Sequence, residues 1–166
     1  MEKQVLVIMG SDSDWSIMKK TLETLREFGV GFAVHVASAH RTTERALAMA
    51  GKAHEEGFEV IIAGAGAAAH LPGVLAAVTP LPVIGIPINA TALQGVDALY
   101  AMVQMPSGIP VATVAIDGAK NAALLAIQIL SVKEGKLRKQ LIEYKKKMVT
   151  EVMVKDEKIQ KLVAEI

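Results

Sequence analysis

Short apolar runs alternate with longer amphipathic segments along most of this chain. Five runs are rich in β-branched residues and have the length of buried strands: Val5–Met9, Phe32–Ala37, Val60–Ala63, Val83–Ile86 and Val111–Ala115. Apolar positions at helical spacing separate these runs and also follow the last one. The pattern predicts five strands, each followed by a helix.

Polar residues mark the expected starts of the first two helices, because Ser13 or Asp14 can cap the first and Thr42 or Thr43 the second. The helices are expected to run to about Phe28, to about Glu56, from His70 or Leu71 to Val78, from Leu93 to Gln104 and from Lys120 to Val132. Strand and helix in regular alternation predict a three-layer, doubly wound α/β fold with a parallel sheet. Since five strands are visible, we expect the flavodoxin-like strand order 2-1-3-4-5.

Residues 133–166 follow a different pattern. Apolar positions recur there at helical spacing: Leu137, Leu141, Tyr144, Met148, Val152, Ile159 and Val163. The segment holds ten Lys and Arg against six Asp and Glu, a balance of +4, whereas residues 1–132 have eight against eleven, a balance of −3. We therefore expect an α/β domain over 1–132 and an amphipathic helical extension over 133–166. The extension is expected to pack partly on a neighbouring subunit; packing on its own domain is the alternative.

Composition excludes several classes of protein. No apolar stretch reaches the roughly 18 residues that cross a bilayer, so no membrane span is expected. The chain has no cysteine, which excludes disulfides and cysteine-ligated metal sites and agrees with a cytoplasmic location. A net charge of +1 argues against a broad nucleic-acid surface.

The first candidate site follows the first strand, at Gly10–Trp15. Backbone N–H groups where a strand turns into a helix attract phosphate, and the hydroxyl of Ser11 adds a donor. Asp14 can accept hydrogen bonds from ribose hydroxyls. The alternative is that Ser13 and Asp14 only cap the helix.

The second candidate site follows the second strand, at Ser38–Arg41. Arg41 has the planar fork that suits phosphate. His40 can both give and take a proton near neutral pH. Since the carboxyl ends of parallel strands share one crevice, we expect both polar clusters to converge there. His35 and His54 are interpreted as structural.

A loop of small residues follows the third strand. Gly64, Ala65 and Gly66 begin a loose G-x-G-x-x-A pattern, but no acidic residue lies about 20 positions on to bind a dinucleotide ribose. We interpret the loop as one whose backbone amides approach a ligand closely. His70 opens the next helix, where it either binds substrate at the pocket or has a structural role. No P-loop, nucleophile elbow or zinc-ligand spacing is present, so no metal site is expected.

Five ordered motifs resemble the 5-(carboxyamino)imidazole ribonucleotide mutases of purine biosynthesis. They are MGSDSDW (9–15), SAHRT (38–42), AGAGAAAHLPG (63–73), GVDALY (95–100) and QMPSGIPVAT (104–113). The resemblance implies a flavodoxin-like core, a homo-octamer, a small ribonucleotide substrate and no metal or organic cofactor. It also implies an isomerase that moves a carboxylate from an exocyclic nitrogen to a ring carbon.

Residue roles follow from the same resemblance. Ser11 and Arg41 would hold the 5′-phosphate and Asp14 the ribose, while His40 would be the general acid and base, supported by Ser38. Amides of residues 64–67 would position the migrating carboxylate, where Ala67 replaces an expected glycine. Two alternatives stay open: a direct carboxylase that takes carbon dioxide, and a non-enzymatic nucleotide- or flavin-binding module. The low aromatic content of 4% argues against a flavin site.

Overall fold

A five-stranded parallel sheet forms the centre of the protein, whose computed structural model describes residues 3–166. The strands are β1 (Lys3–Met9), β2 (Gly31–Val36), β3 (Val60–Ala65), β4 (Val83–Pro87) and β5 (Ala112–Thr113). Every neighbouring pair is parallel and the order is β2-β1-β3-β4-β5, which confirms the predicted topology. In this order the chain reverses its direction of winding between β1 and β3.

Six helices connect or follow the strands within the described residues. They are α1 (Trp15–Glu27), α2 (Thr43–Lys52), α3 (Leu71–Ala76), α4 (Val96–Val103), α5 (Ala119–Ser131) and α6 (Gly135–Val163). No helix in this part of the chain combines the length and apolarity needed to cross a membrane.

The core forms because the central strands are covered on both faces. Every residue of β3 and β4 is buried, as are the last five of β1. Leu6, Ile8 and Ile61 belong to a cluster with small residues of α2 and apolar residues of α3 and α4. On the other face, the hydroxyl of Thr21 in α1 donates to the carbonyl of Ala119 at the start of α5, over 3.0 Å.

Most elements differ from their predicted bounds by one or two residues; two helices and the last strand differ most. Gln94 and Gly95 adopt positive φ angles of 53° and 84°, so α4 begins at Val96 instead of Leu93. The second helix ends at Lys52 instead of Glu56, and a turn leads to Gly57 at φ 87°. The last strand keeps only two of its five predicted residues.

The chain divides into two compact units between Ile129 and Leu130, within α5. In the second unit, the guanidinium of Arg138 donates to the carbonyls of Ser131 and Val132, over 2.9 and 2.6 Å from Nη2. Basic groups at this position satisfy carbonyls that a helix end leaves unpaired. All residues of α6 after Tyr144 are exposed, including Met148, Val152 and Ile159 of the predicted apolar stripe.

Candidate active site

A cleft of about 350 Å³ opens at the carboxyl ends of β1, β2 and β3. This is the point where the winding of the sheet reverses, which is where ligands bind in open α/β sheets. Seven predicted site residues line it: Ser11, Asp14, Ser38, His40, Arg41, Ala65 and Gly66. The two polar clusters of the sequence therefore meet in one site, although they lie almost 30 residues apart.

The turn after β1 is held by reciprocal hydrogen bonds. A single 3₁₀ turn covers Asp12–Asp14, and the Ser11 hydroxyl accepts from the backbone N–H of Ser13 over 3.3 Å. In return, the Asp14 carboxylate accepts from the backbone N–H of Ser11 over 3.1 Å. These two bonds form a capping box at the start of the 3₁₀ turn. The expected side-chain cap of α1 by Asp14 is not formed.

Asp14 is a buried carboxyl group, with 5% of its surface exposed. Burial raises its pKa above the ordinary value, and hydrogen bonds from Ser11, Ser13 and Gly10 oppose that rise. The charged groups that line the cleft are Asp14 and the exposed Arg41. A buried acceptor and an exposed cation in one cleft suit a ligand that carries both hydroxyl and anionic groups.

The turn after β2 is organised by Ser38. Its hydroxyl accepts from the backbone N–H groups of His40 and Arg41, over 3.3 and 3.2 Å. Its own N–H donates to the Thr42 hydroxyl over 2.8 Å, so Thr42 stabilises this turn and makes no side-chain capping bond to α2. Buried Ala39 anchors the turn between them. Ser38 thus presents His40 and Arg41 as neighbours on the wall of the cleft.

His40 contacts a second imidazole. Its Nε2 lies 2.9 Å from Nδ1 of His70, and the two rings meet edge to face at 81°. His70 occupies the residue before α3, makes no capping bond with its side chain and does not line the cleft itself. His70 is therefore connected to the cleft by its hydrogen bond to His40 and does not form part of the cleft wall. His35 and His54 are exposed and lie outside this cleft.

The loop after β3 is shaped by close packing. A Cβ atom at Gly64 would overlap the sulfur of Met18, and one at Gly66 would overlap the Cβ of Ala90. Gly64 does not line the cleft, so its lack of a side chain serves packing within β3. Ala67 lines the cleft with an ordinary negative φ, whereas Ala68 takes the left-handed conformation at φ 47°. The backbone thus accepts an alanine at 67.

Ala90 and Leu71 also line the cleft and were not singled out in the sequence. Ala90 belongs to the loop after β4, where the backbone N–H of Ile88 donates to the carbonyl of Ala65 over 2.9 Å. The rule that all strand ends share the crevice would have directed attention to residues 88–95. Among residues 3–166, no group of three His, Cys, Asp or Glu side chains is arranged to hold a metal ion.

Comparisons with a family model and with individual known proteins match the chain to the same family. The family model described as AIR carboxylase matches residues 4–151. The N5-carboxyaminoimidazole ribonucleotide mutase of Pyrococcus horikoshii is 56% identical over 156 residues, covering 94% of this chain and 88% of that protein. The protein of the same name from Thermotoga maritima is 50% identical, covering 96% of this chain and 93% of that protein.

A solved structure agrees with the sequence comparisons. The crystal structure of Treponema denticola PurE superposes with a TM-score of 0.85 at 30% identity. It covers 94% of this chain and 98% of that one. The likeness therefore extends over both the α/β unit and most of the remaining chain.

Proposed function

Because the chain belongs to the AIR carboxylase family, we propose that it works as a 5-(carboxyamino)imidazole ribonucleotide mutase of purine biosynthesis. The enzyme is an isomerase: it moves a carboxylate from the exocyclic nitrogen of the substrate to carbon 4 of the imidazole ring. The observation that carries the residue assignment is the convergence of His40, Arg41, Ser11 and Asp14 on one cleft.

The reaction is balanced by one proton that leaves and returns to the same residue. Protonated His40 gives its proton to the exocyclic nitrogen as the nitrogen–carboxylate bond breaks. The carboxylate carbon then bonds to ring carbon 4, and neutral His40 removes the hydrogen from that carbon. No atom is gained or lost, and His40 ends in its starting state. A single imidazole that alternates as acid and base meets this requirement.

Substrate binding is assigned to the other polar groups of the cleft. The guanidinium of Arg41 and the hydroxyl of Ser11 hold the 5′-phosphate, since a charged fork and a hydroxyl at the start of a helix both favour that anion. Asp14 accepts from the ribose hydroxyls. Ser38 supports His40 and Arg41 through the two N–H groups that its hydroxyl accepts.

The migrating carboxylate is assigned to the loop that contains Ala65, Gly66 and Ala67. These residues line the cleft, and only methyl groups or hydrogen cover their backbone there. Backbone N–H groups can then approach a small anion closely. Gly64 contributes indirectly, because its packing on Met18 sets the path of the strand that leads into the loop.

A direct carboxylase is the second candidate, because the matching family model is described as AIR carboxylase. The relatives at 50 to 56% identity are named mutases, and this favours the mutase. A carboxylase takes carbon dioxide from solution and therefore depends on bicarbonate, whereas a mutase does not. This difference in substrate separates the two activities in one assay.

The test uses purified enzyme and freshly prepared 5-(carboxyamino)imidazole ribonucleotide, without bicarbonate or ATP. Formation of the ring-carboxylated product is followed by ultraviolet absorbance, and we expect rapid conversion. Activity only with aminoimidazole ribonucleotide and bicarbonate would transfer the protein to the carboxylases. Dialysis against EDTA should leave the rate unchanged, since we propose that no metal or organic cofactor takes part.

We propose that the enzyme acts in the cytoplasm as a homo-octamer, supported by apolar side chains that the single chain leaves exposed. Val96, Tyr100 and Val103 of α4 lie at spacings of four and three residues, and 43 to 59% of each is exposed. Such a stripe at helical spacing is typical of a face that packs on another element. A second copy of this chain is the proposed partner, and light scattering after size exclusion measures the assembly.

A further inference from the structure

We propose that His70 is a positioning residue for His40, and that it leaves Nδ1 of His40 as the atom that moves the proton. The proposal rests on the mutase function proposed above. It starts from the 2.9 Å hydrogen bond between His40 Nε2 and His70 Nδ1. Among residues 3–166, neither His40 Nδ1 nor His70 Nε2 has a protein partner.

The two rings come from separate, well-anchored turns. Ala39 is buried before His40, and the carbonyl of Ala39 accepts from the Thr43 hydroxyl over 2.7 Å. His70 lies between buried Ala69 and buried Leu71. Its own N–H donates to the carbonyl of Ala68 over 2.7 Å, and its carbonyl accepts from the N–H of Val74 over 3.0 Å. Both backbones are fixed, so the hydrogen bond restrains the rotation of two exposed rings.

The direction of the hydrogen bond follows from the chemistry of the cycle. In the protonated state both nitrogens of His40 carry hydrogen, so Nε2 donates and His70 Nδ1 accepts. When Nδ1 of His40 gives its proton to the substrate nitrogen, the Nε2 bond stays unchanged. Nδ1 then has the lone pair that removes the hydrogen from ring carbon 4. The same bond persists through both transfers only if His70 is neutral and its hydrogen is on Nε2.

His70 therefore fixes the neutral form of His40 as the tautomer with hydrogen on Nε2. The hydrogen bond at one nitrogen of an imidazole decides which tautomer the other nitrogen presents. In the opposite tautomer, Nδ1 would carry a hydrogen and could not act as the base. The charged groups that line the cleft with His40 are Arg41 on the same turn and Asp14 on the turn after β1. The hydrogen-bond partner of His40 Nε2 is His70 Nδ1 and neither of these charged groups.

Two substitutions separate positioning from other roles. His70→Leu removes the acceptor, and we expect kcat to fall about 10- to 100-fold while KM changes by less than about threefold. His70→Asn places an amide oxygen near the position of Nδ1, and we expect kcat within about fivefold of the wild type, because oxygen accepts the same hydrogen bond. His54→Asn is the matched control on an exposed histidine outside the cleft.

Three kinetic outcomes would overturn the proposal. Unchanged kcat in His70→Leu would show that the bond is dispensable. A raised KM with normal kcat would make His70 a substrate contact. If His70→Asn is as slow as His70→Leu, a hydrogen-bond acceptor at this position is not sufficient. His70 would then have to take up and release a proton during the reaction.

Nitrogen-15 NMR of the ring tests the inference without turnover. In the free wild-type enzyme at alkaline pH, we expect His40 to populate one tautomer, with hydrogen on Nε2, and His70→Asn to keep it. His70→Leu should give a mixture. An unaltered tautomer in His70→Leu would overturn the positioning role. A wild-type enzyme that fails to convert the carboxyamino substrate would instead refute the mutase proposal, and the NMR result would still decide the pairing.

Discussion

At the scale of single residues, the proposed role of His40 in proton transfer can be tested separately from substrate binding. His40→Asn keeps a polar side chain on the wall of the cleft but cannot carry a proton. General acid–base groups contribute about 10²- to 10⁴-fold, so we expect kcat to fall by at least that range while the ribonucleotide still binds within a few-fold of the wild-type Kd. Steady-state kinetics and calorimetric titration measure the two quantities. His35→Asn, at an exposed position of β2, is the control. Loss of binding with normal residual turnover would disprove the assignment.

Arg41 should show the opposite division between binding and turnover. Its guanidinium is exposed on the cleft wall, and hydrogen bonds to charged groups contribute about 1.5 to 3 kcal/mol. Arg41→Ala is therefore expected to raise KM about 10- to 150-fold with a smaller effect on kcat. Arg45→Ala removes an exposed guanidinium from α2, outside the cleft, and should leave KM unchanged. An unchanged KM in Arg41→Ala would exclude the phosphate role.

Asp14 links the site to the stability of the fold. Burial raises its pKa in the folded protein, so the folded state binds this proton more tightly than the unfolded state. Protonated Asp14 therefore favours folding below about pH 4, and this contribution is lost as pH rises through the elevated pKa. At neutral pH the ionised group is tolerated at a cost in stability.

Replacing Asp14 with asparagine removes that cost. We expect Asp14→Asn to raise Tm at pH 7, and the gain should disappear as the pH falls below about 4, where wild-type Asp14 is itself protonated. The same change should raise KM, since a charged acceptor for the ribose hydroxyls is lost. Thermal unfolding between pH 3.5 and 7 measures the first effect, with exposed Glu55→Gln as control. A gain that grows toward low pH would contradict the sign of the argument.

At the scale of elements, the loop after β3 depends on how closely it approaches the loop after β4. In Gly66→Ala, the new Cβ would overlap that of Ala90, so one loop must move. Overpacking of this kind costs about 1 to 3 kcal/mol, and activity should fall because both loops line the cleft. Chemical unfolding and kcat/KM measure the two effects.

A second substitution tests the cause directly. Ala90→Gly removes the overlapping atom, so the double variant Gly66→Ala with Ala90→Gly should recover part of the lost stability. Gly51→Ala in α2 is the matched control, because its Cβ would meet only the carbonyl of Val78 at 3.8 Å. Alanine is favoured over glycine within a helix by about 0.5 to 1 kcal/mol, so the control should be neutral or stabilising. Additive losses in the double variant would show that another contact is responsible.

The same elements show what a sequence can predict. The number of strands follows from the apolar runs, which are local patterns, and the order follows from the flavodoxin-like arrangement that five alternating strands and helices indicate. The convergence of Ser11 and His40 also follows, since strand ends share one edge of a parallel sheet. The contact between His40 and His70 was not predicted: it joins residues 30 positions apart, and its geometry depends on the path of two irregular turns. The position of Ala90 beside Gly66 was not predicted either. It also depends on the path of two loops, and an alanine side chain has no chemical group that would mark it as a site residue.

At the scale of the whole molecule, α6 shows the clearest need for a partner. After Tyr144 every residue of this helix is exposed, and 53 to 60% of each of Val152, Met153, Val154 and Ile159 is accessible. A helix in a protein gains most of its stability by packing an apolar face against other elements. The basic character of this segment, at +4, and the acidic balance of the rest, at −3, also favour contact between copies.

Charges introduced at exposed apolar positions of α6 should therefore weaken the proposed assembly. We expect Val152→Lys with Ile159→Lys to shift the proposed homo-oligomer to smaller species in multi-angle light scattering, and to make Tm more dependent on protein concentration. Thr150→Lys adds the same charge about half a turn of the helix away from both positions and should leave the mass unchanged. Far-ultraviolet circular dichroism checks that the helix still forms. If the double variant keeps the wild-type mass, α6 lies outside the subunit interface, and the exposed stripe that includes Tyr100 must carry the assembly alone.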